Sequence, residues 1–226
     1  MSPEMTQYLK LVSDKVVNNV KVVTADDLGI DCLLHISTNP KIPEFIPMVS
    51  TRTMPTEDRT VPRVCTAPTI VGCLNGYQAQ IKNFHDQIGL TIYGIPFDEA
   101  LIPSTKLLPD VKMTDEVWLV PYSKKYSGYK PKVIGRMFAY TVKWYSSKYE
   151  RYDIEFYVEV LEDFKFSPTV PLKVGLWRLT LVYDAAVGAN KQEVITIAPL
   201  TKAEYVAAKR SGEVQIKHPE APSSKW

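Results

Sequence analysis

Residues 154–160 read IEFYVEV, and every second side chain is apolar. In an extended chain Ile154, Phe156, Val158 and Val160 share one face, whereas a helix would scatter them around its axis. The stretch is therefore predicted to be a strand with one face on a core. Similar texture runs through 133–145, 152–161, 175–183 and 193–197. The second half of the chain is thus predicted to be a mostly antiparallel sheet.

The first half is more varied. Ser2 and Pro3 suit the start of a helix over 2–18, with Met5, Tyr8, Leu9, Leu11, Val12 and Val16 at helical spacing. Strands are predicted over 20–23, 31–36, 63–67, 90–95 and 116–120. A helix over 69–80 is capped by Thr69, and Gly72 and Gly76 on it suggest close approach of a neighbouring backbone. Five prolines (Pro40, Pro43, Pro47, Pro55 and Pro62) make 37–63 a long loop. A second loop carries Pro96, Pro103 and Pro109. The run YSKKYSGYKPK at 122–132 reads as a hairpin loop around Ser127-Gly128. A capping box, Thr201 to Glu204, opens a helix over 201–209, and the tail 218–226 is expected to fray. The fold class is α+β: mixed, mostly antiparallel sheets with a few helices. The texture divides at 136, giving parts 1–136 and 137–226. No Gly/Ser/Pro-rich linker separates them, so one compact domain is the alternative.

With 45 % apolar residues among 226, a sizeable core can be buried. A net charge of +2 does not by itself imply nucleic acid or an anionic membrane. Cys32, Cys65 and Cys73 form an odd set without CxxC spacing, which reads as reduced thiols in or near the core. His35, His85 and His218 stand apart from one another and from metal-ligand spacing, so no metal is expected. The N-terminus lacks the apolar region of a secretory signal, and no window approaches the ~20 apolar residues of a membrane span. Cytosol is the expected compartment; a phage protein made in bacterial cytosol would look the same. Dinucleotide, P-loop, zincin and hydrolase-elbow motifs are absent from the sequence.

Three stretches concentrate chemistry. His35 closes an apolar strand, where it is either a satisfied strand-end histidine or a polar group delivered into a cleft. The segment EDRTVPRVCTAPT (57–69) sets Arg59 and Arg63 before a helix N-terminus at Thr69, a combination suited to phosphate. The alternative is an ion-pair network in which Glu57 and Asp58 pin these arginines. Glu116, in TDEVWL, enters a strand two residues before Trp118, either as a solvated carboxylate or as a positioned acid.

The succession HIST, PRVCTAPTIVGCLNGY and TDEVWL resembles the ADP-ribosyltransferase superfamily, and in particular short phage and bacterial proteins of that kind. The resemblance spans about residues 30–136. It implies a transferase core with NAD as co-substrate, extended by the β-rich second half. It also implies site roles. His35 would hold the nicotinamide ribose, and the segment from Val64 to Thr66 would line the nicotinamide, Thr66 matching the Ser/Thr branch of the superfamily. Glu116 would orient the ribose 2′-hydroxyl and stabilise an oxocarbenium-like transition state. Arg52, Arg59 or Arg63, with Thr69, would meet the pyrophosphate. Tyr77 and Tyr93 are candidates for the stacking tyrosine that many members carry. The target would be a protein or a nucleic acid.

The competing expectation is a non-enzymatic phage or bacterial interaction or virion protein. Its contact surface would be the β-rich half, rich in Tyr140, Trp144, Tyr145, Tyr149, Tyr152 and Tyr157. That reading expects the site residues to be scattered or paired off. A third reading takes the lysines and tyrosines of 122–132 as a nucleic-acid contact.

Overall fold

The computed structural model describes residues 1–50, 56–77, 89–146, 151–184 and 191–217. It is an α+β structure with mostly antiparallel sheets. The chain opens with α1 (Pro3–Leu9) and α2 (Asp14–Val17), then β1 (Val20–Thr24), α3 (Ala25–Leu28) and β2 (Leu33–Ser37). Next come β3 (Val64–Thr66), α4 (Ile70–Gly76), β4 (Leu90–Ile95), β5 (Glu99–Pro103), α5 (Val111–Thr114) and β6 (Val117–Leu119). The second half holds β7 (Lys132–Ser146), β8 (Arg151–Val160), β9 (Phe164–Ser167), β10 (Val170–Leu172), β11 (Gly175–Asp184), β12 (Lys191–Pro199), α6 (Lys202–Ser211) and β13 (Gln215–Lys217).

Two sheets organise the molecule. The smaller runs β1-β5-β6-β3, antiparallel throughout. The larger runs β12-β11-β8-β7-β4-β2, with β13 added in parallel beside the far part of β7. The expected boundary at 136 falls inside β7, which pairs with β4 from the first half and β8 from the second. The larger sheet therefore joins strands from both halves of the chain. The sheets meet where Leu34 of β2 exchanges backbone hydrogen bonds with Ala67, the residue after β3.

Alternation decides what each face buries. Ile154, Phe156, Val158 and Val160 all lie in the core beneath the larger sheet, together with Ile70 and Leu74 of α4. On the opposite face, Phe138 and Tyr157 pack under Tyr205 and Ala208 of α6. Tyr140 stacks on Tyr157, with ring centroids 4.5 Å apart. Much of the aromatic content of the second half is thus internal packing. Tyr149 lies outside the described residues, and for Trp144, Tyr145 and Tyr152 the description stops at the backbone.

Several local expectations are corrected. The helix over 2–18 is two helices, because Ser13 takes an extended conformation and restarts the chain at α2. The turn leaves Leu11 exposed and brings Val16 into the same core as Met5. The stretch read as a loop around Pro96, Pro103 and Pro109 contains β5, a central strand, and α5. Pro103 is accommodated because it ends the strand. The β9–β10 hairpin, α3 and β13 are not predicted by the sequence pattern. Residues 122–132 form no β-hairpin; a 3₁₀ turn at Lys124–Tyr126 links the two sheets. The far end of the predicted helix over 69–80, His85 and the tail 218–226 lie outside the described residues. Among the described residues no helix is long and apolar enough to cross a membrane.

Candidate functional site

The site is built around one short strand. Antiparallel pairing of β3 with β6 sets Cys65 opposite Trp118 and Thr66 opposite Val117. Alternation then places Arg63, Cys65, Glu116 and Trp118 on one face, and Thr66 on the other. Thr66 is buried and its hydroxyl donates to the Val117 carbonyl at 2.7 Å.

His35 arrives from β2. The Leu34–Ala67 bridge fixes the register of β2 beside the end of β3, so His35 Nδ1 reaches the Cys65 carbonyl at 2.9 Å. A carbonyl only accepts, so Nδ1 carries the proton and Nε2 holds the lone pair. Burial pushes the His35 pKa below its usual value, against the opposing pull of the Cys65 carbonyl.

Glu116 arrives from the other side. Trp118 Nε1 donates to its Oε1 at 2.7 Å, and the Cys65 side chain lies close enough to the same carboxyl for each to influence the other's proton affinity. Desolvation raises the Glu116 pKa and outweighs both of these influences and the nearby Arg63 charge. The Cys65 thiol is pushed far up by burial and by Glu116, which makes it a packing group rather than a nucleophile. His35 is thus bonded to the Cys65 carbonyl, while Glu116 lies near the Cys65 side chain.

Arg63 is held inside the fold, although its buried Nε has no hydrogen-bond partner. Its guanidinium pairs with Glu57, donates from Nη1 to the carbonyls of Asp58 (3.1 Å) and Val61 (3.2 Å), and lies 4.3 Å over the Trp118 ring. Asp58 in turn accepts from the amides of Thr60 (2.9 Å) and Val61 (3.0 Å). Burial works to raise the Asp58 pKa, but these bonds outweigh it and hold the carboxyl below its usual value. The ion-pair reading of the 57–63 segment is what the geometry shows for Arg63. Arg59 stands exposed on the same loop, and Arg52 lies outside the described residues. Thr69 caps α4 by accepting from the Gly72 amide at 3.1 Å and is itself buried.

A strap from the proline-rich loop covers His35. The Phe45 ring lies 4.7 Å from the imidazole and edge-on to Tyr93 at 5.6 Å. Tyr93 is buried; its hydroxyl donates to the Asn39 carbonyl (2.7 Å) and accepts from the Ile42 amide (3.1 Å). Backbone bonds between Phe45 and Tyr129, and between Met48 and Arg63, fasten the strap at two further points. Of the tyrosines considered for stacking, Tyr93 is thus occupied in holding the strap, and Tyr77 packs on the core of the larger sheet. Phe45 is the residue that sequence reasoning passes over; Cys65 enters it only as a thiol in or near the core and as part of the 64–66 segment. Phe45 sits in an irregular run, IPEFIP, where no period marks a face.

The 122–132 segment is also turned inward. Tyr122, Tyr126 and Tyr129 are buried, and the first two stack at 4.6 Å. Lys125 pairs with Asp98 and Lys132 with Glu162. Bases have no tyrosine face to stack on here, which removes the basis of the nucleic-acid reading of this segment. Among the described residues no group of three or more His, Cys, Asp or Glu side chains is placed to hold a metal ion. Comparison with known protein families, with curated proteins and with solved structures finds no match.

Proposed function

We propose that this chain is an ADP-ribosyltransferase-like protein that takes NAD as co-substrate and modifies a protein or nucleic acid. The observation that carries the reading is the meeting of His35 and Glu116 at Cys65. Two polar groups 81 positions apart in sequence, delivered by strands of different sheets, reach the two sides of one residue.

In this reading the bond between the nicotinamide nitrogen and the ribose carbon breaks. Nicotinamide leaves with the electron pair, and the target's nucleophile captures the oxocarbenium-like ribose. Glu116 must be ionised to stabilise that positive charge, and its low-dielectric setting strengthens the effect once it is. The Trp118 indole N–H fixes the carboxylate's orientation. His35, with Nδ1 anchored, offers Nε2 to a ribose hydroxyl. Of the three arginines named for the pyrophosphate, Arg59 is the one described as exposed. Arg63 fits that task poorly, since Glu57 and Trp118 hold it; its part is to position the loop and to supply counter-charge to Glu116. Cys65, not Thr66, occupies the place between His35 and Glu116.

A second reading, a non-enzymatic phage or bacterial interaction protein, is favoured by a specific observation: the Arg63 guanidinium is paired, and Thr66 and Thr69 are hydrogen-bonded, inside the fold. One experiment separates the two. Purified protein is incubated with NAD and with candidate protein and RNA targets, beside Glu116→Ala. Free nicotinamide and labelled ADP-ribose are the readouts. Turnover lost in the variant supports the transferase. A folded wild type that neither binds nor consumes NAD overturns it and leaves the interaction protein.

A further inference from the structure

A cleft of about 200 Å³ shares no lining residue with the Cys65 cluster. Its walls come from the turn between α3 and β2, from Pro68 and from the β9–β10 hairpin. The floor is hydrocarbon: Leu34, Phe164 and Leu172 line it and are nearly inaccessible to water. Cys32 forms part of the wall. At this size it suits a body smaller than the drug-sized ligands that fill pockets of about 300–1,000 Å³.

The rim carries four charges that divide into two kinds. Lys173 and Asp163 neutralise each other at 2.7 Å, and Asp163 also accepts from the Val174 amide at 3.0 Å. Asp31 and Lys165 are exposed and form no ion pair among the described residues. Lys165 reaches only the Gly29 carbonyl, at 3.5 Å. A small apolar floor is therefore bordered by one uncommitted carboxylate and one uncommitted ammonium. A ligand with only one charge would meet its like as well as its opposite on that rim. A molecule with both charges beside an apolar body meets complementary groups on each side.

We propose that this cleft binds a small zwitterion with an apolar body, of the class of free apolar α-amino acids. Lys165 takes the carboxylate, Asp31 the ammonium, and the side chain enters between Leu34, Phe164 and Leu172. The site is independent of the NAD reading, since none of its residues belongs to the Cys65 cluster.

The probes are L-phenylalanine, 3-phenylpropionate, which lacks the ammonium, and 2-phenylethylamine, which lacks the carboxylate. Saturation-transfer NMR follows the probe ring on the full chain. Iodoacetamide alkylation at alkaline pH, read peptide by peptide, follows the Cys32 thiol with Cys65 and Cys73 as internal references. L-phenylalanine is expected to give saturable transfer, to slow Cys32 several-fold and to leave the other two thiols unchanged. Lys165→Gln and Asp31→Asn, both on the exposed rim, are each expected to weaken the apparent affinity by about two- to fivefold, the range for exposed charge pairs. Three results would overturn the proposal. One is no transfer to L-phenylalanine from the folded protein. Another is binding of either singly charged probe as tight as that of L-phenylalanine. The third is undiminished affinity in both variants.

Discussion

Along β8, Ile154, Phe156, Val158 and Val160 bury only hydrocarbon, and their partners across the larger sheet are hydrocarbon too. Along β3 and β6, the buried guanidinium of Arg63 and indole of Trp118 are set beside the half-buried thiol of Cys65 and carboxyl of Glu116. The two regions are held by different physics. The first gains from area removed from water, which is non-directional and indifferent to which apolar group fills the space. The second depends on each polar group finding its partner, because a buried polar group without one carries its full desolvation cost. One region should tolerate exchange of shape, and the other should not tolerate exchange of geometry.

The largest expected effects test that contrast directly. Phe156→Ala should cost about 3–5 kcal/mol through the cavity it leaves, and Arg63→Ala a similar ~3–5 kcal/mol through the carbonyls and carboxylate it deserts. The conservative exchanges should separate them. Phe156→Leu keeps the cost under about 2 kcal/mol. Arg63→Lys loses the planar fork that serves Glu57, Asp58 and Val61 together and stays close to the alanine cost. Urea unfolding midpoints of the four variants decide it. An Arg63→Lys no worse than Phe156→Leu would mean that the polar cluster is held by charge alone.

A middle-sized effect sharpens the comparison within α4, whose Ile70 and Leu74 pack on the larger sheet while its N-terminal end abuts the polar side. An added Cβ at Gly72 would stand 2.6 Å from the Thr114 carbonyl oxygen and 2.8 Å from the Ala67 Cβ; at Gly76 it would meet nothing within 4 Å. Gly72→Ala should therefore destabilise by roughly 1–3 kcal/mol, as overpacking does. Gly76→Ala should stabilise by up to about 1 kcal/mol, the helix-propensity difference. Equal effects in a thermal melt would show that α4 does not approach α5 as closely as the backbone places it.

The same contrast explains what the sequence disclosed. The β8 face was legible because a period-two pattern is local: four side chains within seven residues state which way they point. The caps at Ser2, Thr69 and Thr201 were legible for the same reason. Strand β5 was not, because Pro96 and Pro103 announce a break while its central place comes from partners in β1 and β6. In the site, the residue types at 35, 63 and 116 could be singled out, and the pairing of Arg63 with the acids before it could be posed as an alternative. Their arrangement could not be read. It depends on β2 crossing to Ala67 and on the three-residue register of β3 against β6, neither of which leaves a local mark. Phe45 reaches His35 only because distant Tyr93 and Tyr129 fasten its strap.

The smallest effect at any single pH is the most informative in sign. Glu116 and Asp58 flank Arg63, and the fold moves their proton affinities in opposite directions. Glu116 titrates above its ordinary 4.5, chiefly through desolvation. The stability linked to its proton is complete below 4.5 and is lost as pH rises through the folded value. Asp58 titrates below its ordinary 3.8, because its amide and hydroxyl bonds outweigh desolvation. Its contribution is present above 3.8 and is lost as pH falls through the folded value. Glu116→Gln should thus gain on the wild type as pH climbs from 4.5, whereas Asp58→Asn should fall behind above 3.8 and draw level in acid. Denaturant midpoints across about pH 3 to 8 read both slopes at once, spanning the ordinary carboxyl range on each side. Parallel curves for Glu116→Gln and wild type would mean that water reaches the carboxyl freely. The proposed chemistry would then lose the low-dielectric setting it relies on. A rising gap would fix the window in which Glu116 ionises, and NAD turnover should climb through that same window, since only the carboxylate can stabilise the ribosyl cation.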